Sequence, residues 1–153
     1  MDKRTEITNA LKQSLKDKNK VAMGTIRLMI AAMKDRDIEA RSKGNAEGIT
    51  EPEILAMLQS MIKQRQESHK TYAEAGREDL ARREEEEIEI ILGFMPKQMD
   101  DVEMKVAVDG LVTEMDVSDI RDMGKLMAEL KNRYAGQLDM AKAGALVRQR
   151  LAS

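Results

Sequence analysis

The chain contains no cysteine, no tryptophan, one histidine, two prolines, two tyrosines and one phenylalanine in 153 residues. Without cysteine there is no disulfide, no thiolate ligand for zinc and no thiol nucleophile. Few aromatic or β-branched runs are present, which argues against a sheet protein. No apolar run approaches the ~18 residues of a membrane span, so no membrane association is expected. The first residues, Met1-Asp2-Lys3-Arg4-Thr5-Glu6, lead into an amphipathic stretch and not an apolar signal core, so a cytoplasmic location is expected. The carboxylate-bridged metal sites of helix bundles need Glu-x-x-His pairs, and this chain has only His69 and no such pair. No metal and no cofactor is therefore expected.

What the chain does have is 42% hydrophobic and 35% charged residues, with methionine appearing 13 times. Aliphatic and flexible methionine side chains suit a core of packed helices. Charge is unevenly spread. Residues 1–43 carry 11 basic and 6 acidic side chains, residues 44–95 carry 6 and 12, residues 96–123 carry 3 and 8, and residues 124–153 carry 6 and 2. The two ends are basic and the middle is acidic, so an anionic partner should meet the ends.

The organising stretch runs from Thr50 to Pro96. Thr50 can cap a helix, Pro52 sits where a missing N–H costs nothing, and Glu53 completes a capping box. Ile54, Leu58, Met61, Arg65, Ser68 and Tyr72 follow at helical spacing, Gly76 interrupts, and Leu80, Glu84, Glu87, Ile88, Ile91 and Met95 resume the pattern. An antiparallel helical hairpin is predicted, with Arg65 brought opposite Glu84 and Glu87 as an interhelical ion pair. Before it, Ile7, Leu11 and Leu15 mark a short amphipathic helix. A second helix from Lys20 to about Ser42 is apolar around much of its circumference near Val21–Met33, while its charged end from Lys34 to Lys43 is expected to project into solvent. Gly93–Gln98 marks a domain boundary. Beyond it, Asp100 with Glu103, then Asp119 or Asp122, then Asp139 begin three short helices. Val102, Val106, Val108, Leu111, Val112 and Met115 are expected on the inner side of the first. The fold class expected is all-α: a larger N-terminal helical domain (1–95) containing the hairpin, and a small three-helix domain (96–153).

The run Glu84-Glu85-Glu86-Glu87 reads as a solvated acidic face with one or two carboxylates held by Arg65 and Lys63. His69 has no second histidine or nucleophile motif beside it and reads as a helix-surface or interhelical residue. Towards the C-terminus, Lys125, Lys131, Arg133, Lys142 and Arg148 place cations on two helices, and Gly124 at a helix start leaves backbone N–H groups for a phosphate. These cations read either as an ordinary solvated face or as RNA contacts, and with base-stacking aromatics nearly absent such contacts would read backbone and shape.

Arg27-Leu28, Lys63-Gln64-Arg65-Gln66-Glu67-Ser68, Ala75-Gly76-Arg77-Glu78-Asp79-Leu80-Ala81, Pro96-Lys97-Gln98 and Asp122-Met123-Gly124-Lys125-Leu126-Met127 occur in order along nearly the whole chain. In these the sequence resembles the YqeY family, whose members resemble the C-terminal tail of GatB, a subunit of the glutamine-dependent tRNA amidotransferase. The resemblance implies an all-helical two-domain fold and an association with tRNA, with an amidotransferase or with another translation-related protein. Of the matched motif it implicates Gly124 and Lys125 in RNA contact; Lys131, Arg133, Lys142 and Arg148 are added from charge. Gly136-Gln137-Leu138-Asp139 stands where many relatives have a further basic residue after the glycine. The family label of carbon–nitrogen ligase using glutamine as amido donor meets a physical objection. Ammonia release needs an activated nucleophile, and ATP activation needs a phosphate cradle with metal-binding carboxylates. No such constellation is visible, so the expectation is a non-catalytic RNA-binding or adaptor protein. The alternatives are an accessory subunit of such a ligase and a protein-interaction module without nucleic acid. The sequence leaves the oligomeric state open.

Overall fold

A computed structural model describes residues 2–152. Among them are seven α-helices, one 3-10 turn and no strand. The chain divides between Met95 and Pro96 into two compact units. In the first, α1 (Lys3–Lys16), α2 (Lys20–Ser42), α3 (Glu51–Glu74) and α4 (Glu78–Leu92) close on a core that includes Ile7, Ile26, Met29, Met33, Ile54, Met57, Leu58 and Ile91. The second holds α5 (Asp101–Met115), a 3-10 turn (Ile120–Asp122), α6 (Met123–Arg133) and α7 (Met140–Ala152) around Met104, Val108, Leu111, Leu126, Leu130, Leu138 and Val147.

Helix starts follow the local chemistry. Thr50 Oγ1 accepts the Glu53 N–H at 3.4 Å and meets Glu53 Oε1 at 3.0 Å. Asp100 accepts the Glu103 N–H at 2.8 Å, and Asp139 accepts those of Ala141 and Lys142 at 3.0 and 3.2 Å. Asp119 caps the 3-10 turn, and α6 follows it at Met123. The hairpin turns at Gly76, whose φ of +73° is open to glycine at little cost. Its second helix stops at Leu92, so Met95 lies beyond it.

Arg65 does meet a carboxylate across the hairpin. Its Nε donates to Glu87 Oε2 at 3.1 Å, both side chains being largely covered. Nη1 returns to the Met61 carbonyl at 3.1 Å. No hydrogen bond or ion pair joins Arg65 to Glu84. Glu84 is instead held above the usual carboxylate range by burial and by the neighbouring Glu87 charge. The nearby Arg65 charge opposes that rise but does not overcome it. Lys63 is exposed on the outer side of α3. His69 lies 2.7 Å from Glu85 on the hairpin's outer edge.

Two other expectations fail. The charged end of α2 does not simply project into water: Asp37 is 4% exposed. Its carboxylate takes Arg4 Nη1 at 2.6 Å and Nη2 at 3.0 Å, and accepts the Ile49 N–H at 2.9 Å. Arg4 Nη2 also donates to the Ile49 carbonyl at 3.1 Å. Val102 and Val106 lie outside the core, 73% and 67% exposed, because α5 turns Met104, Ala107, Val108, Leu111 and Val112 inward. Leu15, placed on the apolar stripe of α1, is likewise about half exposed.

The Arg4 hydrogen bonds hold the Asp37 carboxyl below the usual carboxylate range. Its contribution to stability is therefore complete above the unfolded-state pKa near 4 and is lost as pH falls through the lower native value. Asp37→Ala should cost about 2–3 kcal/mol at neutral pH, since Arg4 and the Ile49 N–H both lose a charged acceptor. That cost should shrink as pH falls below about 4. Urea unfolding of both proteins across that pH range measures it. Glu84 carries the opposite sign, since its raised native pKa means stability gained on protonation. Glu84→Gln should accordingly raise the melting temperature at pH 7, whereas Glu87→Gln should lower it.

Candidate nucleic-acid interface

The cations of α6 and α7 separate into two sets according to whether α5 supplies a carboxylate. Arg133 is engaged on two sides. Nη2 donates to Glu114 Oε1 at 2.9 Å and Nε to Glu129 Oε1 at 2.8 Å, and these carboxylates raise its pKa further. Lys142 reaches Asp101 at 3.5 Å, and Arg150 reaches Asp109 at 3.3 Å. Asp101 and Asp109 are spaced as Lys142 and Arg150 are, so α5 and α7 run in the same direction with their charges in step. These pairs are exposed and add little stability. Their effect is to commit three cations to the unit's own carboxylates.

Lys125, Lys131 and Arg148 are exposed, and no described residue pairs with any of them. A Cβ on Gly144 of α7 would lie 3.8 Å from Met127 and 3.9 Å from Met123, which puts the early part of α7 against the first two turns of α6. Arg148, one turn further along α7, therefore lies towards the start of α6. Lys131 sits in the last turn of α6 and Lys125 on its outer side. Of the six residues nominated from sequence, the structure leaves Lys125, Lys131 and Arg148 available, occupies Arg133, and draws Lys142 towards Asp101.

Gly124 is exposed in the first turn of α6, with nothing within 4 Å of the place a Cβ would take. This helix start is less receptive to a phosphate than the glycine suggests. The Met123 N–H is bonded to the Ile120 carbonyl, and the carboxylates of Asp119 and Asp122 stand at the same terminus. Negative charge is already placed where the helix dipole would draw an anion. Gly136 is buried with a positive φ, and its carbonyl accepts Gln98 Nε2 at 2.6 Å. The Met99 N–H joins the Gln137 carbonyl at 2.9 Å. Gln98 and Gly136 thus clip the entry segment of this unit to the α6–α7 loop. The α5 carboxylates were missed as determinants of the surface; the shared eight-residue spacing of Asp101/Asp109 and Lys142/Arg150 is the signal that could have found them.

The family profile described as Yqey-like protein matches residues 4–151, which takes in both units. The chain belongs to the YqeY-like family. Its similarity to the mitochondrial protein named altered inheritance of mitochondria protein 41 from Lachancea thermotolerans is 30% identity over 118 residues. That alignment covers 75% of this chain and 60% of the relative, so the chain spans less than two thirds of the relative's length. Membership of this family points to a GatB-related small domain. Among the described residues no group of three or more histidine, cysteine, aspartate or glutamate side chains is placed to hold a metal ion, and no helix is long and apolar enough to cross a membrane.

Because the space at Gly124 is open and its backbone helical, Gly124→Ala should stabilise the protein by about 0.5–1 kcal/mol in urea unfolding. Because its ion pairs are exposed, Arg133→Ala should change the melting temperature little, as should Lys125→Ala, Lys131→Ala and Arg148→Ala; differential scanning calorimetry measures it.

Proposed function

We propose that this protein is a non-catalytic RNA-binding module, with tRNA as the RNA, that acts as an adaptor related to the tail domain of tRNA-dependent amidotransferases. The observation that carries the reading is the division of cations on α6 and α7: three are committed to carboxylates, and Lys125, Lys131 and Arg148 are left facing water. Unpaired cations on a rigid helical pair can each take a phosphate, and with scarce aromatics such contacts register backbone and not base identity. Membership of a family related to a tRNA amidotransferase subunit supports RNA as the anion. Gly124 enters only as a smooth place on α6 where a backbone can approach. An amidotransferase or another translation-related protein is the partner to which such an adaptor would deliver RNA.

Three phosphate contacts would give a salt slope of about −2.1 to −2.7, or a fall of roughly 20- to 40-fold in affinity between 50 and 200 mM salt. The test is tRNA binding against salt for the wild type and for Lys125→Glu combined with Arg148→Glu. The double variant should bind more weakly, with a slope flatter by about 1.4–1.8 units. Arg133→Ala should leave the slope as it is. No binding at low salt, or a slope indifferent to the double substitution, would remove RNA from the assignment.

A further inference from the structure

A second basic surface lies on the N-terminal unit, where α1 and α2 pack side by side. The short turn between them and the Arg4–Asp37 pair fix the two helices antiparallel. In α1 the buried Ile7 and Ser14 turn inward, and Lys12 and Lys16 stand on the opposite, outer side. In α2 the buried Met29, Met33 and Ala40 turn inward, and Lys20, Arg27 and Lys34 recur every seven residues on the outer side. Successive cations of that row are about 10 Å apart along the helix. The antiparallel register brings Lys16 near the level of Lys20 and Lys12 near that of Arg27. All five are exposed, and none has a partner among the described residues.

Carboxylates are kept to the margins of this face. Asp37 is buried and held by Arg4, Glu6 takes Lys3 Nζ at 2.9 Å, and Asp17 takes Gln13 Nε2 at 3.0 Å. Glu86 and Glu89 of α4 share a shallow cleft with Asn19 and Val21, which marks the edge of α2 turned towards α4. Asp35, two heptads after Val21, stands on that same edge. These three carboxylates repel a phosphate from the α4 side and leave the seam between α1 and α2 as the basic strip. Lys20, next to Val21, is the cation they offset most. Between the cations of α2 stand Gly24 and Ala31, and a Cβ on Gly24 would meet nothing within 4 Å, so a sugar–phosphate chain can come close to the helix. Leu15 and Ile38 are exposed on this side but are separated by most of the length of the row, so they form no continuous apolar patch for a bilayer to bury.

We propose that the outer face of α1 and α2 is a second RNA-backbone surface, carried by Lys12, Lys16, Arg27 and Lys34 with Lys20 at its margin. It rests on the RNA reading above and goes beyond it, because it gives the larger set of free cations to the N-terminal unit. A row of lysine and arginine along one helix face is the electrostatic footprint of a nucleic-acid surface. Neither helix carries an aromatic side chain on which a base could stack, so the contacts are to phosphate and register shape.

Binding of tRNA by the full chain, followed against salt, separates the two surfaces. Arg27→Glu with Lys34→Glu removes two contacts and should flatten the slope by about 1.4–1.8 units. The chain carrying Lys125→Glu and Arg148→Glu should keep a salt-dependent affinity, and adding Arg27→Glu and Lys34→Glu to it should flatten the slope again by the same amount. Lys63→Glu with Lys70→Glu makes the same charge change at exposed positions of α3 and should leave the slope unchanged. All these positions are at the surface, and unchanged circular dichroism establishes that each variant is folded. A slope indifferent to Arg27→Glu with Lys34→Glu but flattened by Lys125→Glu with Arg148→Glu overturns the proposal and leaves the C-terminal assignment standing. Equal flattening by the α3 variant overturns it too, since the effect is then one of net charge. So does a face that holds phosphatidylglycerol vesicles while its substitutions leave tRNA binding alone. A wild type that binds no tRNA at low salt removes both readings.

Discussion

The N-terminal unit depends on one carboxylate. Asp37 lies in the second half of α2, and its two oxygens take the Arg4 guanidinium of α1 and the backbone N–H of Ile49, just before α3 begins. Three segments distant in sequence are thereby held at one point. Burying a carboxylate is costly unless its lone pairs are used, and here they are satisfied by a two-pronged cation and a backbone donor. Arg4 also bonds the Ile49 carbonyl, so both backbone polar groups of that residue are satisfied by side chains. Gly48 completes the arrangement. Its φ is +86°, and a Cβ there would collide with Asp37 Oδ1. Glycine is needed both for the backbone angle and for the space, and the loop can close over Asp37 only because that side chain is missing.

In the C-terminal unit, charge has a different task. Its ion pairs are exposed and individually weak, so they contribute little to holding the helices together; the core from Met104 to Leu151 does that. What the pairs determine is which cations stay available. Carboxylates on α5 at Asp101, Asp109 and Glu114 each face a cation from α6 or α7, and the remaining basic residues point elsewhere. A count of lysines and arginines therefore overstates this surface as a polyanion site. The same holds at the α6 terminus, where Asp119 and Asp122 stand in the position a phosphate would want.

What could be read from sequence was what local chemistry determines. Thr50, Asp100 and Asp139 act as caps because an oxygen one residue before a helix reaches free N–H groups whatever the rest of the fold does. Arg65 against Glu87 was readable because a short turn constrains the register of the two helices. Asp37 was not, since its partner Arg4 is 33 residues away and nothing local distinguishes it from Asp35. Val102 and Val106 misled for a related reason. Apolar residues occupy nearly every angle of α5, and only the packing of α6 and α7 decides which of them are inside. Among the candidate RNA contacts, residue type was readable, but the commitment of Arg133 to Glu114 and Glu129 required the tertiary register.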